Sequence, residues 1–81
     1  MFFKNYKYFL AIVEYGGLTR AAEALYISQP SLSKAMALLE GEMSVSLFER
    51  RGRNVVLTQA GRAFYEHVKP ALRQKIGRAH V

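Results

Sequence analysis

The chain has no cysteine and no aspartate, and its longest unbroken apolar run is Tyr8 to Val13. Without cysteine there is no disulfide-stapled scaffold, no thiolate metal site and no thiol chemistry. The carboxylates are six glutamates with no pair away from ordinary helix surfaces, and no phosphate-binding glycine motif occurs, so an enzyme is not expected. A membrane span needs roughly 20 apolar residues, so none is expected, and no signal-peptide layout precedes the apolar run. His67 and His80 are isolated, with no partner at metal-ligand spacing, and neither a metal nor a cofactor is expected.

What is present is 81 residues, 51% hydrophobic and 22% charged, the mix of one small globular domain. A domain of this size buries only about 60% of the surface its unfolded chain exposes, so a partner subunit would add needed stability. Twelve Lys and Arg against six Glu give +6, a balance that favours a polyanionic partner, nucleic acid ahead of an anionic membrane. The charge is uneven. Residues 1–17 carry +1, residues 18–43 carry −1, residues 44–58 carry +2 and residues 59–81 carry +4, with the tightest cluster at Arg50, Arg51 and Arg53 around Gly52.

Apolar periodicity organises the rest. Tyr6, Phe9, Leu10 and Val13 fall at helical spacing and predict a helix from about Lys4 to Tyr15, stopped by Gly16 and Gly17. Leu18, Ala21, Ala22 and Leu25 predict a second helix over Leu18 to Tyr26, with Gly17 or Thr19 as its N-cap. Ser28 is suited to cap a third helix, Pro30 is tolerated in its first turn, and Leu32, Ala35, Met36, Leu39 and Met43 form its buried stripe. Two helices joined by the short turn Tyr26 to Ser28, with small Ala21 and Ala22 at the contact and Ile27 as a plug, have helix-turn-helix spacing. Leu47–Phe48 and Val55–Leu57 then read as two short strands joined by the basic segment Glu49 to Asn54, a hairpin placed as a wing. Thr58 caps a last helix whose stripe is Gly61, Phe64, Tyr65, Val68 and Leu72, with Pro70 as a candidate kink. The fold class is mainly α: a winged helix-turn-helix of three helices and a two-stranded hairpin over residues 1–58, then a long carboxyl-terminal helix over residues 59–75.

With these elements in place the sequence resembles the amino-terminal domain of LysR-type transcriptional regulators. The resemblance rests on Tyr8-Phe9, Leu18-Thr19-Arg20-Ala21-Ala22-Glu23, Ile27-Ser28-Gln29-Pro30-Ser31-Leu32-Ser33, Leu39-Glu40, Leu47-Phe48-Glu49-Arg50 and Leu57-Thr58-Gln59-Ala60-Gly61, in order and near the family's spacing. It implies a bacterial, cytoplasmic, nucleoid-associated reader of double-stranded DNA. It also implies a homodimer joined through the last helix, a higher oligomer in the full-length protein, and continuation into an effector-binding domain. Three positions depart from the family pattern. Lys34 stands where Arg is usual, which keeps charge but loses the planar fork that grips guanine. Gly17 replaces a frequent Ser cap, and Ser44 replaces a common Gly just past the third helix. With Gly41 in its last turn, that helix is expected to end early.

A helix fits the major groove of B-DNA and presents its first turn to the bases, which makes the third helix, about Gln29 to Glu42, the candidate recognition helix. Gln29 is suited to adenine, Pro30 to a thymine methyl, Lys34 to guanine or phosphate, and Ser31 and Ser33 to base or backbone. Thr19, Arg20 and Ser28 are candidate phosphate contacts, with Arg20 alternatively an ordinary surface charge. In the wing, Arg53 is the candidate for a narrow A·T-rich minor groove, Arg51 for the DNA backbone, and Arg50 for an ion pair with Glu49. Phe64, Tyr65, Val68 and Leu72 are the candidate dimer interface, the other reading being that they pack on the domain's own core. Two such chains would meet an interrupted palindrome. Competing classes are a protein-assembly module with a solvent-facing basic loop, and an RNA-binding or membrane-binding peptide. The latter lacks a stacking platform and a basic amphipathic face. Ile76 to Val81 leaves the stripe and is also what one reading frame of a common sequencing adapter encodes; it reads as a non-native tail, the alternative being a variable native one.

Overall fold

A computed structural model describes the backbone of residues 3–52 and 54–77, and side-chain surroundings for residues 4–52 and 55–70. The order is α1 (Phe3–Tyr15), α2 (Leu18–Leu25), α3 (Gln29–Met43), β1 (Phe48–Arg51), β2 (Asn54–Leu57) and α4 (Gln59–Gly77). All the expected elements form, and the differences lie at their ends.

The core is built from the helical stripes. Phe9 and Ile12 of α1, Ala21 and Ala22 of α2, and Leu32, Met36 and Leu39 of α3 are all buried. The two alanines keep α2 close to α1, since a larger side chain there would hold the helices apart. Tyr26 closes α2 in the left-handed region at φ 60, its N–H reaching the Ala22 and Glu23 carbonyls, and Ile27 plugs the angle between α2 and α3. Met43, expected in the buried stripe of α3, is exposed.

The expected early end of α3 is corrected. The helix runs through Gly41 to Met43 and stops at Ser44, which takes the left-handed conformation at φ 59 and donates its N–H to the Glu40 carbonyl. Ser thus makes the turn that Gly makes more easily, at a cost of about 1–2 kcal/mol for a residue with a Cβ. Leu39, fully inside, holds the last turns in register despite Gly41.

The hairpin also differs from expectation. Glu49, Arg50, Arg51 and Asn54 belong to the strands, paired Phe48 with Leu57, Glu49 with Val56, Arg50 with Val55 and Arg51 with Asn54. Only Gly52 and Arg53 lie between the strands. A two-residue hairpin needs positive φ at its tip, and Gly52 supplies it at φ 61. Leu47, expected within the first strand, precedes β1 and is fully buried.

Thr58 joins wing to α4. Its hydroxyl accepts the Gly61 N–H at 2.9 Å and donates to the Ser46 carbonyl at 2.6 Å, while its own N–H reaches the Leu47 carbonyl at 3.0 Å. Gly61 must be glycine for a steric reason: a Cβ there would overlap the Leu47 carbonyl. The helix then continues across Pro70, which removes one backbone donor but leaves the assignment unbroken to Gly77, two residues past the expected boundary. Of the suspected tail, Ile76 and Gly77 close α4 and residues 78–81 lie outside the described residues.

Candidate nucleic-acid interface

The third helix is held rigidly from behind and left free in front. Leu32, Met36 and Leu39 anchor one face in the core, while Gln29, Pro30, Ser31, Ser33 and Lys34 are all exposed on the other. Ser28 fixes the first turn by accepting the Ser31 N–H at 3.1 Å, and its hydroxyl lies 2.9 Å from that of Ser31. With Ser28 engaged in the cap, Ser31 is the freer of the two hydroxyls to donate outward. Pro30 sits within the first turn, where its missing N–H removes no helical hydrogen bond.

Thr19 and Arg20 are exposed at the start of α2, where Gly17 provides no side-chain cap. The first N–H groups of that helix are therefore open to an external acceptor, and the helix dipole favours an anion there. A cleft of about 250 Å³ brings this end of α2 together with Gln29 at the start of α3 and Arg50 and Val55 of the wing. Arg20 and Arg50 line it, and among the described residues no carboxylate does. Its neighbour, about 190 Å³, is lined by Ile12, Met36 and Phe48 together with Glu40, Glu49 and the same Arg50. The first is chemically suited to a phosphate and the second is not.

The ion pair expected of Arg50 is made by Arg51 instead. The ion-pair partner of Glu49 is Arg51, whose Nη2 and Nε lie 3.0 and 3.2 Å from Glu49 Oε2. The reason is the strand period: residues two apart share a face, so Glu49 and Arg51 stand together while Arg50 joins Phe48 on the side of the helices. Arg53 lies outside the described residues.

Glu40 is a positioning residue that spacing alone does not single out. From the side of α3 its Oε2 accepts the backbone N–H groups of Leu47 and Phe48 at 2.6 and 3.2 Å, which docks the root of the wing on the recognition helix. Charge-assisted bonds of this kind are roughly twice as strong as neutral ones.

The stripe of α4 is largely occupied within the chain. Val68 is 3% exposed, and the Phe64 ring meets those of Phe9 and Tyr6 at centroid distances of 4.9 and 5.5 Å, both near edge-on. Tyr65 is half-buried with Lys69 Nζ 5.3 Å from its ring centre, and the side chain of Leu72 lies outside the described residues. Packing on the domain's own core is thus what Phe64 and Tyr65 do, and Val68 is buried as well. Among the described residues no group of acidic or histidine side chains is arranged to hold a metal, and no helix is long and apolar enough to cross a membrane.

A helix-turn-helix with an exposed, capped second helix and a hairpin docked beside it defines the winged helix class of DNA-binding domains. The family described as "Bacterial regulatory helix-turn-helix protein, lysR family" matches residues 3–62. The nitrogen assimilation regulatory protein nac of Escherichia coli K12 is 49% identical over 74 residues, 91% of this chain and 24% of that protein. The transcriptional regulator BudR of Klebsiella aerogenes is 52% identical over 60 residues, 74% of this chain and 42% of that protein. Among solved structures, a complex of the BenM DNA-binding domain with catB site 1 DNA superposes with a TM-score of 0.90 at 35% identity, covering 98% of this chain and 88% of that one. A CbnR DNA-binding domain complex with DNA gives 0.85 at 40%, covering 98% and 90%. The chain belongs to the LysR family of bacterial regulators and constitutes its helix-turn-helix DNA-binding domain. It spans about a quarter of the length of the first curated relatives it matches.

Proposed function

We propose that this domain reads duplex DNA with the first turn of α3 in the major groove and the wing, Glu49 to Asn54, at the flanking minor groove. The observation that carries the reading is the exposed row Gln29, Pro30, Ser31, Ser33 and Lys34 beside a cleft lined by Thr19, Arg20 and Arg50 and, among the described residues, by no carboxylate. The row has hydrogen-bonding and apolar groups for base edges. The cleft has two guanidinium groups and open helix N–H groups for a phosphate, which would fix the register of the helix without reading sequence. Arg53 is assigned to the minor groove and Arg51 to the backbone; Ser28 acts through the cap.

The assembly proposed with it is a homodimer on an interrupted palindrome with A·T-rich flanks, with higher oligomers in the full-length protein. The dimer contact is assigned to Phe64, Tyr65, Val68 and Leu72 of α4, of which Phe64 and Tyr65 also pack on the domain's own core. Residues 1–58 form the reader and residues 59–75 the linking helix of a regulator acting in the bacterial cytoplasm on the nucleoid, with no catalytic step of its own.

Binding to a random duplex and to an A·T-flanked interrupted palindrome, each over a salt series, tests this. Affinity for both is expected to fall steeply with salt, and Gln29→Ala to narrow the gap between them by about 1–3 kcal/mol. Arg53→Ala is expected to reduce the preference for A·T flanks. If neither duplex binds at low salt while the protein remains folded, the DNA reading fails and a protein-docking role replaces it.

A further inference from the structure

Two adjacent arginines of the wing stand in different electrostatic states. Arg50 lines both the cleft it shares with Arg20 and the neighbouring one lined by Glu40 and Glu49, and among the described residues it makes no ion pair. Arg51 directs both Nε and Nη2 at a single oxygen of Glu49, in a pair whose side chains are 71% and 45% exposed. Across the hairpin Glu49 faces Val56, which offers the carboxylate no competing polar group. So exposed a pair contributes little to stability. Its consequence is electrostatic. For Arg51 to reach a phosphate, it must leave Glu49, or bring that carboxylate within a Debye length of about 8–10 Å of the DNA.

We propose that Glu49 is an affinity-setting residue: it masks the Arg51 guanidinium, so that the wing holds duplex DNA of arbitrary sequence less tightly than its arginines would on their own. This rests on the wing lying against DNA, as argued above. The wing's sequence-independent grip then comes chiefly from Arg50 and Arg53, and Arg51 joins only as it exchanges the carboxylate for a phosphate. Sequence-independent binding is the background against which a specific site must compete, so a mask on one wing cation limits that background without altering any base-reading residue.

The test is a double-mutant cycle on the full chain with a random-sequence duplex over a salt series, comparing the parent, Glu49→Gln, Arg51→Ala and the double variant. Glu49→Gln is expected to tighten binding about threefold and to steepen the salt dependence by about 0.9, the increment for one further phosphate neutralised. Arg51→Ala alone is expected to change affinity by less than about twofold, because its charge is already engaged, and Glu49→Gln placed on Arg51→Ala is expected to give less than half the gain seen with Arg51 present. An equal gain in both backgrounds shows that Glu49 merely repels phosphates and overturns the proposal, as does no gain in either. Parental binding to the duplex is read in the same series, so absence of any binding marks failure of the DNA reading itself, distinct from failure of the mask. Thermal melting of the four proteins is expected to coincide, since both side chains are exposed.

Discussion

The helix-turn-helix and the wing solve opposite problems with opposite chemistry. In α3 the outward residues are mostly neutral and the helix is fixed from behind by Leu32, Met36 and Leu39. In the wing the outward residues are charged, and the hairpin has almost no core of its own: Glu49, Arg50 and Arg51 are exposed and Phe48 is only half-buried. A two-stranded hairpin is marginal by itself in water. It is held by borrowed contacts instead, the Glu40 carboxylate from α3 and the Thr58 backbone and hydroxyl at the α4 junction. The surface proposed to read sequence is therefore seated on the helical core, while the charged hairpin leans on that core only through Leu47, Phe48 and Leu57 and on a few hydrogen bonds. The two should fail separately.

The largest effect is expected where the comparison breaks down altogether. Leu32 is fully buried beneath the recognition turn, and Leu32→Ala should cost about 3 kcal/mol or more from lost burial and the cavity left behind. For a domain this small that is a loss of more than about 10 °C in Tm by calorimetry. Discrimination between duplexes and overall binding should vanish together, because the seat of α3 is shared by both surfaces. A variant that melts near the parent temperature would show that the wall collapses to fill the space.

Glu40→Ala separates the two surfaces. It leaves the N–H groups of Leu47 and Phe48 without their acceptor, a penalty of about 1–3 kcal/mol, while Gln29, Ser31, Ser33 and Lys34 stay in place. Binding to random and specific duplexes should weaken by a similar factor, the ratio between them surviving. Should the ratio collapse while overall affinity holds, the wing would be the reader and α3 the anchor, the reverse of the proposed division.

Ser28→Ala acts the other way round. Losing the cap bond to the Ser31 N–H should cost about 1 kcal/mol and fray the first turn of α3, where Gln29 and Ser31 stand. Here the ratio between specific and random duplexes should fall more than random binding does, as read from paired titrations at one salt concentration.

How much of this was legible in the sequence follows the same division. The α3 surface was readable because a buried stripe at helical spacing leaves the opposite face outward by geometry, and because Ser28 and Pro30 have well-defined places at a helix start. The wing was not, for three physical reasons. A strand reading Phe-Glu-Arg-Arg has no apolar alternation, so Glu49 to Arg51 looked like loop. The Glu49 partner was assigned to its chain neighbour Arg50, although strand residues share a face two apart. The contact from Glu40 to Leu47 and Phe48 closes over seven or eight residues and leaves no local periodicity to detect. Gly41 and Ser44 misled in the other direction, since local propensity argued for an early helix end and tertiary burial of Leu39 overrode it.

The smallest effect expected is a gain. Tyr26 ends α2 at φ 60 and is 94% exposed as a residue, so the fold obtains almost no burial from a large aromatic residue in a conformation costly for any residue with a Cβ. That conformation costs roughly 1–2 kcal/mol, and glycine adopts it freely but loses about 0.5–1 kcal/mol more backbone entropy on folding. The difference leaves Tyr26→Gly stabilising by about 0.5 kcal/mol, visible as a small upward shift in the denaturant midpoint at unchanged slope. Because the turn it relaxes precedes Ser28 and Gln29 by only two and three residues, the comparison sharpens further at this position. If the helix-turn-helix is rigid through its buried anchors, as Leu32 and Leu39 imply, added freedom in the turn should leave discrimination between duplexes unchanged. If discrimination drops while stability rises, the exposed ring or its constrained backbone helps to aim the recognition turn, and rigidity at the interface has a source outside the core.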